Sequence, residues 1–309
     1  MPEDQESAEP ASPLAGVDLA AVEAAVLRAL AAPSDAPEGL GLRVLGYGEI
    51  SLVVGWPDSR PEVACKRLPV FPSEAAAQRY SERFSNYLEL LAQRGVQPVR
   101  SAFGTVDAGG GRVAGYVVQP VLDSGELGPN VLRAAKPDAA HPVLTSVVES
   151  VSGVVDDRTG LDAQLSNWAY GDGALRYLDV TTPMCFDEDG RIELDIELFL
   201  AAYPWALRGV IGRFVAPGVI SAYRDPRHVL IDLAANLQKE GLSEWIPPAL
   251  EVINAQVSPT VTPEEVERYY RSDARLWEAM LKLRRADRWW QRRVRRRDYP
   301  FLLPGHIDR

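Results

Sequence analysis

The chain is poor in the side chains that hold metals or build covalent frameworks. It has two cysteines, Cys65 and Cys185, and three histidines, His141, His228 and His306, in 309 residues. Two cysteines exclude a disulfide scaffold and a cysteine zinc site, and the histidines share no ligand spacing. Long hydrophobic runs are missing too. The most apolar stretch, Leu198 to Ile220, is cut by Pro204, Arg208, Arg213 and Pro217, so no membrane span is expected. The first residues, MPEDQESAEPASP, lack the basic-then-apolar order of a secretory signal. They read as a disordered acidic leader, residues 1–14, on a cytoplasmic protein.

What is present suits a globular body. Hydrophobic residues make up 46% and charged residues 25%, which excludes a collagen, a coiled coil and a largely disordered chain. The net charge of −10 makes nucleic acid an unlikely partner for the body as a whole. That charge is unevenly placed. From Lys282 to Arg297 stand nine Lys/Arg and one Asp, a local +8, which leaves −18 for the rest. Trp289 and Trp290 lie inside this basic tail. A solvated helix end complementing the acidic body is its simplest reading. An acidic peptide or carrier, RNA and an anionic membrane surface remain open as polyanionic partners.

Local patterning divides the chain near residue 120. Leu19 to Ala31 carries apolar residues at helical spacing and ends before Pro33. Leu42 to Leu45, Ser51 to Trp56 and Val63 to Leu68 read as three consecutive antiparallel strands. Ser73 to Arg94 places Ala77, Tyr80, Phe84, Leu88 and Leu91 at steps of three and four, a long amphipathic helix closed at Gly95. Ala102 to Val106 and Arg112 to Gln119 flank a glycine turn and read as a hairpin. Beyond Pro120 helices are expected at 142–155, at 196–214 interrupted by Pro204, and at 226–240, with β-like runs at 175–180 and 191–195. Thr262-Pro263-Glu264-Glu265 is a capping box opening a last helix that runs into the basic tail. The expected architecture is α+β, with a small antiparallel β-rich N-lobe over 15–120 and a larger helical C-lobe over 121–309.

Four segments carry chemistry. Gly46-Tyr47-Gly48-Glu49-Ile50-Ser51 sits between two strands, where backbone without Cβ can close over anionic oxygens. A dinucleotide reading fails because an extended segment, not a helix, follows the glycines. A Walker loop fails because no Gly-Lys-Ser/Thr closes it. Lys66 lies one strand later, on the same face as Ala64. Asp162 and Asn167 stand five apart in an expected loop, and Asp179 ends a short strand twelve residues beyond Asn167. Asp187-Glu188-Asp189-Gly190 lacks the spaced ligands of a calcium loop and reads as a turn.

In order and spacing these segments resemble the bilobal protein-kinase-like fold, closest to the small-molecule phosphotransferases of the aminoglycoside and choline kinase kind. The resemblance runs over 41–183 and more loosely through the C-terminal helices. It implies ATP and Mg²⁺ as cofactors, with Gly46, Gly48, Ser51, Lys66 and Gln119 around the nucleotide. Lys66 would contact phosphates, Asp162 would be the catalytic base toward an acceptor hydroxyl, and Asn167 and Asp179 would hold the metal. The acceptor would be a small molecule or a modified peptide.

The sequence also departs from the family pattern. Gly160-Leu161 stand where that family has a histidine before the base, Val180-Thr181 follow Asp179, and Ser51 replaces a third glycine. The long helix offers no glutamate phased toward Lys66, because Glu82 and Glu89 point elsewhere. A catalytically silent, pseudokinase-like binding module is the alternative these departures support.

Overall fold

The computed structural model describes residues 11–32, 41–47, 51–200, 203, 208–210, 212–213, 216–296, 299 and 301. The chain is α+β, with one small antiparallel sheet and about half its length in helices.

The sheet comprises β1 (Arg43–Tyr47), β2 (Leu52–Trp56), β3 (Val63–Arg67), β4 (Ala102–Gly109) and β5 (Arg112–Pro120), in the order β1-β2-β3-β5-β4 with every pair antiparallel. Helix α1 (Leu19–Ala31) covers one face, and α2 (Glu74–Gln93), inserted between β3 and β4, covers the other. Alternation along β5 explains its composition. Ala114, Tyr116 and Val118 pack with α1, whereas Val113 and Val117 join the core built around α2. A strand covered on both sides has no solvent face to mark with polar residues, so it reads as a nearly unbroken apolar run.

The expected cap of the last helix forms, with Thr262 accepting from Glu265 N at 3.3 Å; Asp18 likewise accepts from Ala21 N at 3.0 Å and Ser73 from Ala76 N at 3.2 Å.

After β5 come α3 (Gly128–Arg133), α4 (Pro142–Val154) and the hairpin β6 (Trp168–Gly171) and β7 (Ala174–Tyr177). They are followed by α5 (Ile196–Leu200), α6 (Arg208–Val210), α7 (Ala216–Ala222), α8 (Pro226–Lys239), α9 (Ile246–Asn254) and α10 (Pro263–Arg293). Helices α4, α8 and α9 share the larger core with α2, around Val147, Leu230, Trp245 and Ile253.

Two expectations change. The strand over 175–180 ends at Tyr177, because the chain then turns across the sheet instead of pairing onward. The run 191–195 is not a strand, and only an isolated bridge joins Phe186 to Ile192. The interrupted helical stretch over 196–214 is seen as the short α5 and α6, with residues 201–202, 204–207, 211 and 214 outside the described set.

Candidate functional site

Three strands align the first two segments. Gly46 of β1 stands opposite Val53 of β2, and Val53 stands opposite Lys66 of β3. At about 4.8 Å per strand this row puts Gly46 about 10 Å from Lys66. Ser51 immediately precedes β2, while Gly48, Glu49 and Ile50 lie outside the described residues.

The face of β3 that carries Lys66 looks toward the segment after β7. Lys66 Nζ donates to the Leu178 carbonyl at 2.8 Å and lies 3.8 Å from Asp179 Oδ1, bringing together residues 112 positions apart. Gln119 of β5, itself 2% exposed, donates to the same Leu178 carbonyl at 2.9 Å and to Ser101 Oγ at 2.9 Å. Its side chain therefore fixes the segment that carries Asp179.

Burial holds the Lys66 ammonium below the ordinary lysine range, and the Asp179 carboxylate opposes that shift. Asp179 keeps about 30% of its side chain exposed and accepts from Thr181 Oγ1 at 2.8 Å.

The loop of the third segment is joined to the fourth by backbone. Leu178 N donates to Asn167 O at 2.8 Å, so Asp179 follows directly on the residue paired with Asn167. Asn167 Nδ2 donates to the Asp162 carbonyl at 3.3 Å, and Asp162 Oδ1 accepts from Gln164 N at 3.0 Å. Lys66, Gln119, Asp162, Asn167 and Asp179 are thus tied into one hydrogen-bonded neighbourhood drawn from β3, β5 and two loops.

Sequence reasoning missed three buried tyrosines that hold these loops. Tyr80 of α2 donates to Thr181 O at 2.8 Å. Tyr87, two turns later, donates to Gly160 O at 2.9 Å. Tyr177 of β7 accepts from Asp162 N at 3.3 Å and shares a side-chain hydrogen bond with Tyr87. Burial pushes all three phenols well up, and the Asp179 carboxylate adds to each. Asp162 acts on Tyr87 and Tyr177 as well, so both carboxylates border the same pair of phenols. The available signal was a tyrosine at an inward helical position, since a buried phenol needs a partner for its hydroxyl.

Gly160 is closed in by the Tyr223 carbonyl and Met184, so a side chain at 160 has no room, and Tyr87 braces this loop through the Gly160 carbonyl. Tyr80 fills the inward place on α2, while the exposed Glu82 accepts from Gln78 at 3.2 Å. Lys66 takes its anionic partner from Asp179 and not from α2.

The C-terminal helices close in beside Asp162. Tyr269 of α10 is hydrogen-bonded to Asp232 of α8, its ring meets His228 edge-on at 5.3 Å, and burial first, then Asp232 and Asp162, raise its phenol. No group of three or more His, Cys, Asp or Glu able to hold a metal by itself occurs among the described residues.

Residues 26–288, a stretch that includes Lys66 and Tyr269, match the family described as "Family of unknown function (DUF6206)". No curated protein matches the chain.

Proposed function

Given that the chain belongs to DUF6206, a family of unknown function, we propose that the Lys66–Asp179 neighbourhood is the active site of an ATP- and Mg²⁺-dependent phosphotransferase with a bilobal, protein-kinase-like fold. The acceptor is a hydroxyl of a small molecule or a modified peptide. One observation carries the reading: the Lys66 ammonium, on the sheet face below Gly46, lies 3.8 Å from Asp179, whose backbone neighbour is paired with Asn167. Chance does not readily bring a largely buried lysine, a partly exposed carboxylate and an Asp/Asn loop together two strands from a glycine. The N-lobe of this reading is residues 15–120 and the C-lobe 121–309, with α2 spanning from sheet to loops.

The chain's own groups supply alignment and charge. Lys66 is positioned to meet phosphate oxygens, and Leu178 holds it in place in the meantime. Asp179 and Asn167 offer a carboxylate oxygen and an amide oxygen. That hard donor pair suits Mg²⁺ bound jointly with substrate phosphates rather than in an all-protein cage. When bound, the cation would neutralise phosphate charge. The acceptor oxygen bonds to the γ-phosphorus as the bond to the β-phosphate oxygen breaks, and Asp162 takes the hydroxyl proton. Tyr177 and Tyr87 hold Asp162 in place through its backbone and its loop.

Incubation with ATP, Mg²⁺ and a panel of metabolites and peptides, followed by mass spectrometry for a phosphate gain, tests the reading. Asp162→Asn is expected to lower turnover about 10²–10⁴-fold. Asp179→Asn is expected to abolish Mg²⁺-dependent nucleotide stabilisation in thermal shift. Full activity in either variant rejects the assignment.

One observation favours a second reading, a catalytically silent nucleotide- or partner-binding module. Tyr80 occupies the helix position from which a carboxylate would draw Lys66 away from Asp179. ATP stabilisation without phosphate transfer to any acceptor supports that module.

A further inference from the structure

Helix α10 is 31 residues long and its two halves differ. The first half is anchored, with Val266 buried and Glu265 paired to Arg227 at 2.7 Å. From Leu276 through the C-cap residue Val294 the helix carries five of the nine exposed large apolar side chains among the described residues: Leu276, Leu283, Trp289, Trp290 and Val294. Scattered exposed leucines need no explanation, but a concentration on one element does.

The spacing is ordered. Leu276, Leu283 and Trp290 follow at steps of seven, with the exposed Ala279 and Ala286 between them, so these three and the two alanines lie on one face as a strip, with Trp289 about 100° to its side. From Leu276 to Trp290 the strip is about 21 Å long at 1.5 Å per residue. Arg275, Lys282 and Arg293, all exposed, each directly precede an apolar member and so border one side, with Lys282 paired to Glu278 at 2.7 Å across the exposed surface. Arg295 and Arg296, also exposed, continue the cationic edge past the helix. Arg284 lies away from the strip, buried beneath Phe301. The end of α10 is fixed to the body, because Arg292 Nη2 donates to the Leu30 carbonyl of α1 at 3.0 Å. One turn earlier on α1, Leu27 is 50% exposed.

We propose that the second half of α10 is a membrane-docking helix that lies along the surface of an anionic lipid bilayer. Leu276, Leu283, Trp290 and Val294 enter the acyl boundary while the flanking arginines and Lys282 meet the headgroup phosphates. No described helix is long and apolar enough to cross a membrane, so the helix lies on the bilayer and does not span it. Charge decides among the occupants. Arg275, Arg293, Arg295 and Arg296 edge the strip with exposed positive charge, so two copies of this face repel one another. RNA has no use for the leucine strip. A straight apolar line edged by cations fits a negatively charged plane.

The test is sedimentation of the full chain with phosphatidylcholine vesicles, alone or mixed with phosphatidylserine, at low and high salt. Binding to mixed vesicles is expected, weakening with salt, with a blue shift of tryptophan emission. The double variant Leu283→Ser/Trp290→Ser is expected to lose about tenfold or more in partitioning at unchanged far-ultraviolet circular dichroism, since both side chains are exposed. Arg293→Glu/Arg295→Glu is expected to lose the preference for anionic vesicles. Quenching of the unaltered chain by brominated lipid checks insertion without any substitution. Absent binding, equal binding to neutral vesicles, indifference to the double serine variant or absent quenching each overturn the proposal. So does capture by poly-aspartate or RNA without vesicle binding, or a dimer that the serine variant dissolves while vesicles bind nothing.

Discussion

Lys66 sits where burial works against its charge, and its two partners are both on the segment after β7. One is the Leu178 carbonyl and the other the Asp179 carboxylate. Its folded-state pKa lies below the unfolded value of 10.5, so the unfolded chain binds the proton more tightly in that window. The wild type therefore gains stability relative to Lys66→Met as pH rises from the lowered folded value toward 10.5. Urea melts of both proteins across that range check the sign, and a constant difference would contradict it. Gln119 still donates to Leu178 in the variant, so the carbonyl is not left bare.

At the scale of one element, α4 depends on an unusual cap. His141 Nδ1 accepts from Val143 N at 3.3 Å, Pro142 opens the helix, and the imidazole meets Trp245 edge-on at 5.2 Å. Burial lowers the His141 pKa from 6.5, with Asp138 opposing. Only the neutral ring can accept from Val143, because both ring nitrogens of imidazolium are donors. Stability is thus held above pH 6.5 and lost as pH falls from there through the lower folded value. His228, also lowered by burial, adds to the loss in the same direction. The variant His141→Asn keeps an acceptor at the cap but cannot titrate. Thermal melts between neutral and mildly acidic pH are expected to show a flatter decline for it than for the wild type.

Over the whole molecule, α1 is joined to the sheet by a buried ion pair. Glu23 receives Arg67 Nε and Nη2 at 2.7 Å each, and the Tyr116 hydroxyl donates to the same carboxylate. Both charged residues are under 8% exposed, so removing one leaves the other without compensation. Glu23→Ala is expected to destabilise the fold by about 3–5 kcal/mol, read by urea denaturation. The pair neighbours the site in sequence: Arg67 faces α1, while the adjacent Lys66 faces Asp179. One strand thereby couples the packing of α1 to the placement of the lysine. At the other end of α1, Arg292 of α10 reaches the Leu30 carbonyl, so the first and last described helices meet.

Local order was written in the sequence. Helix α1 matches its expected bounds, and α2, α8 and β1–β5 fall within a few residues of theirs, because caps, glycines and side-chain periods act over a few neighbours. The strand β6 and the helix α9 went unread. The first is four residues long, and the second opens on Pro247-Pro248, which as sequence looks like a break and in the fold forms the first turn. The candidate residues Lys66, Asp162, Asn167 and Asp179 were visible as types at given spacings. Their partners were not. Lys66 finds Leu178 across 112 residues, Tyr80 finds Thr181 across 101, and Tyr87 finds Gly160 across 73. Nothing within a few residues of a side chain says which distant carbonyl will face it. That is set by packing α2 between the sheet and the loops, and so only the tertiary structure decided it.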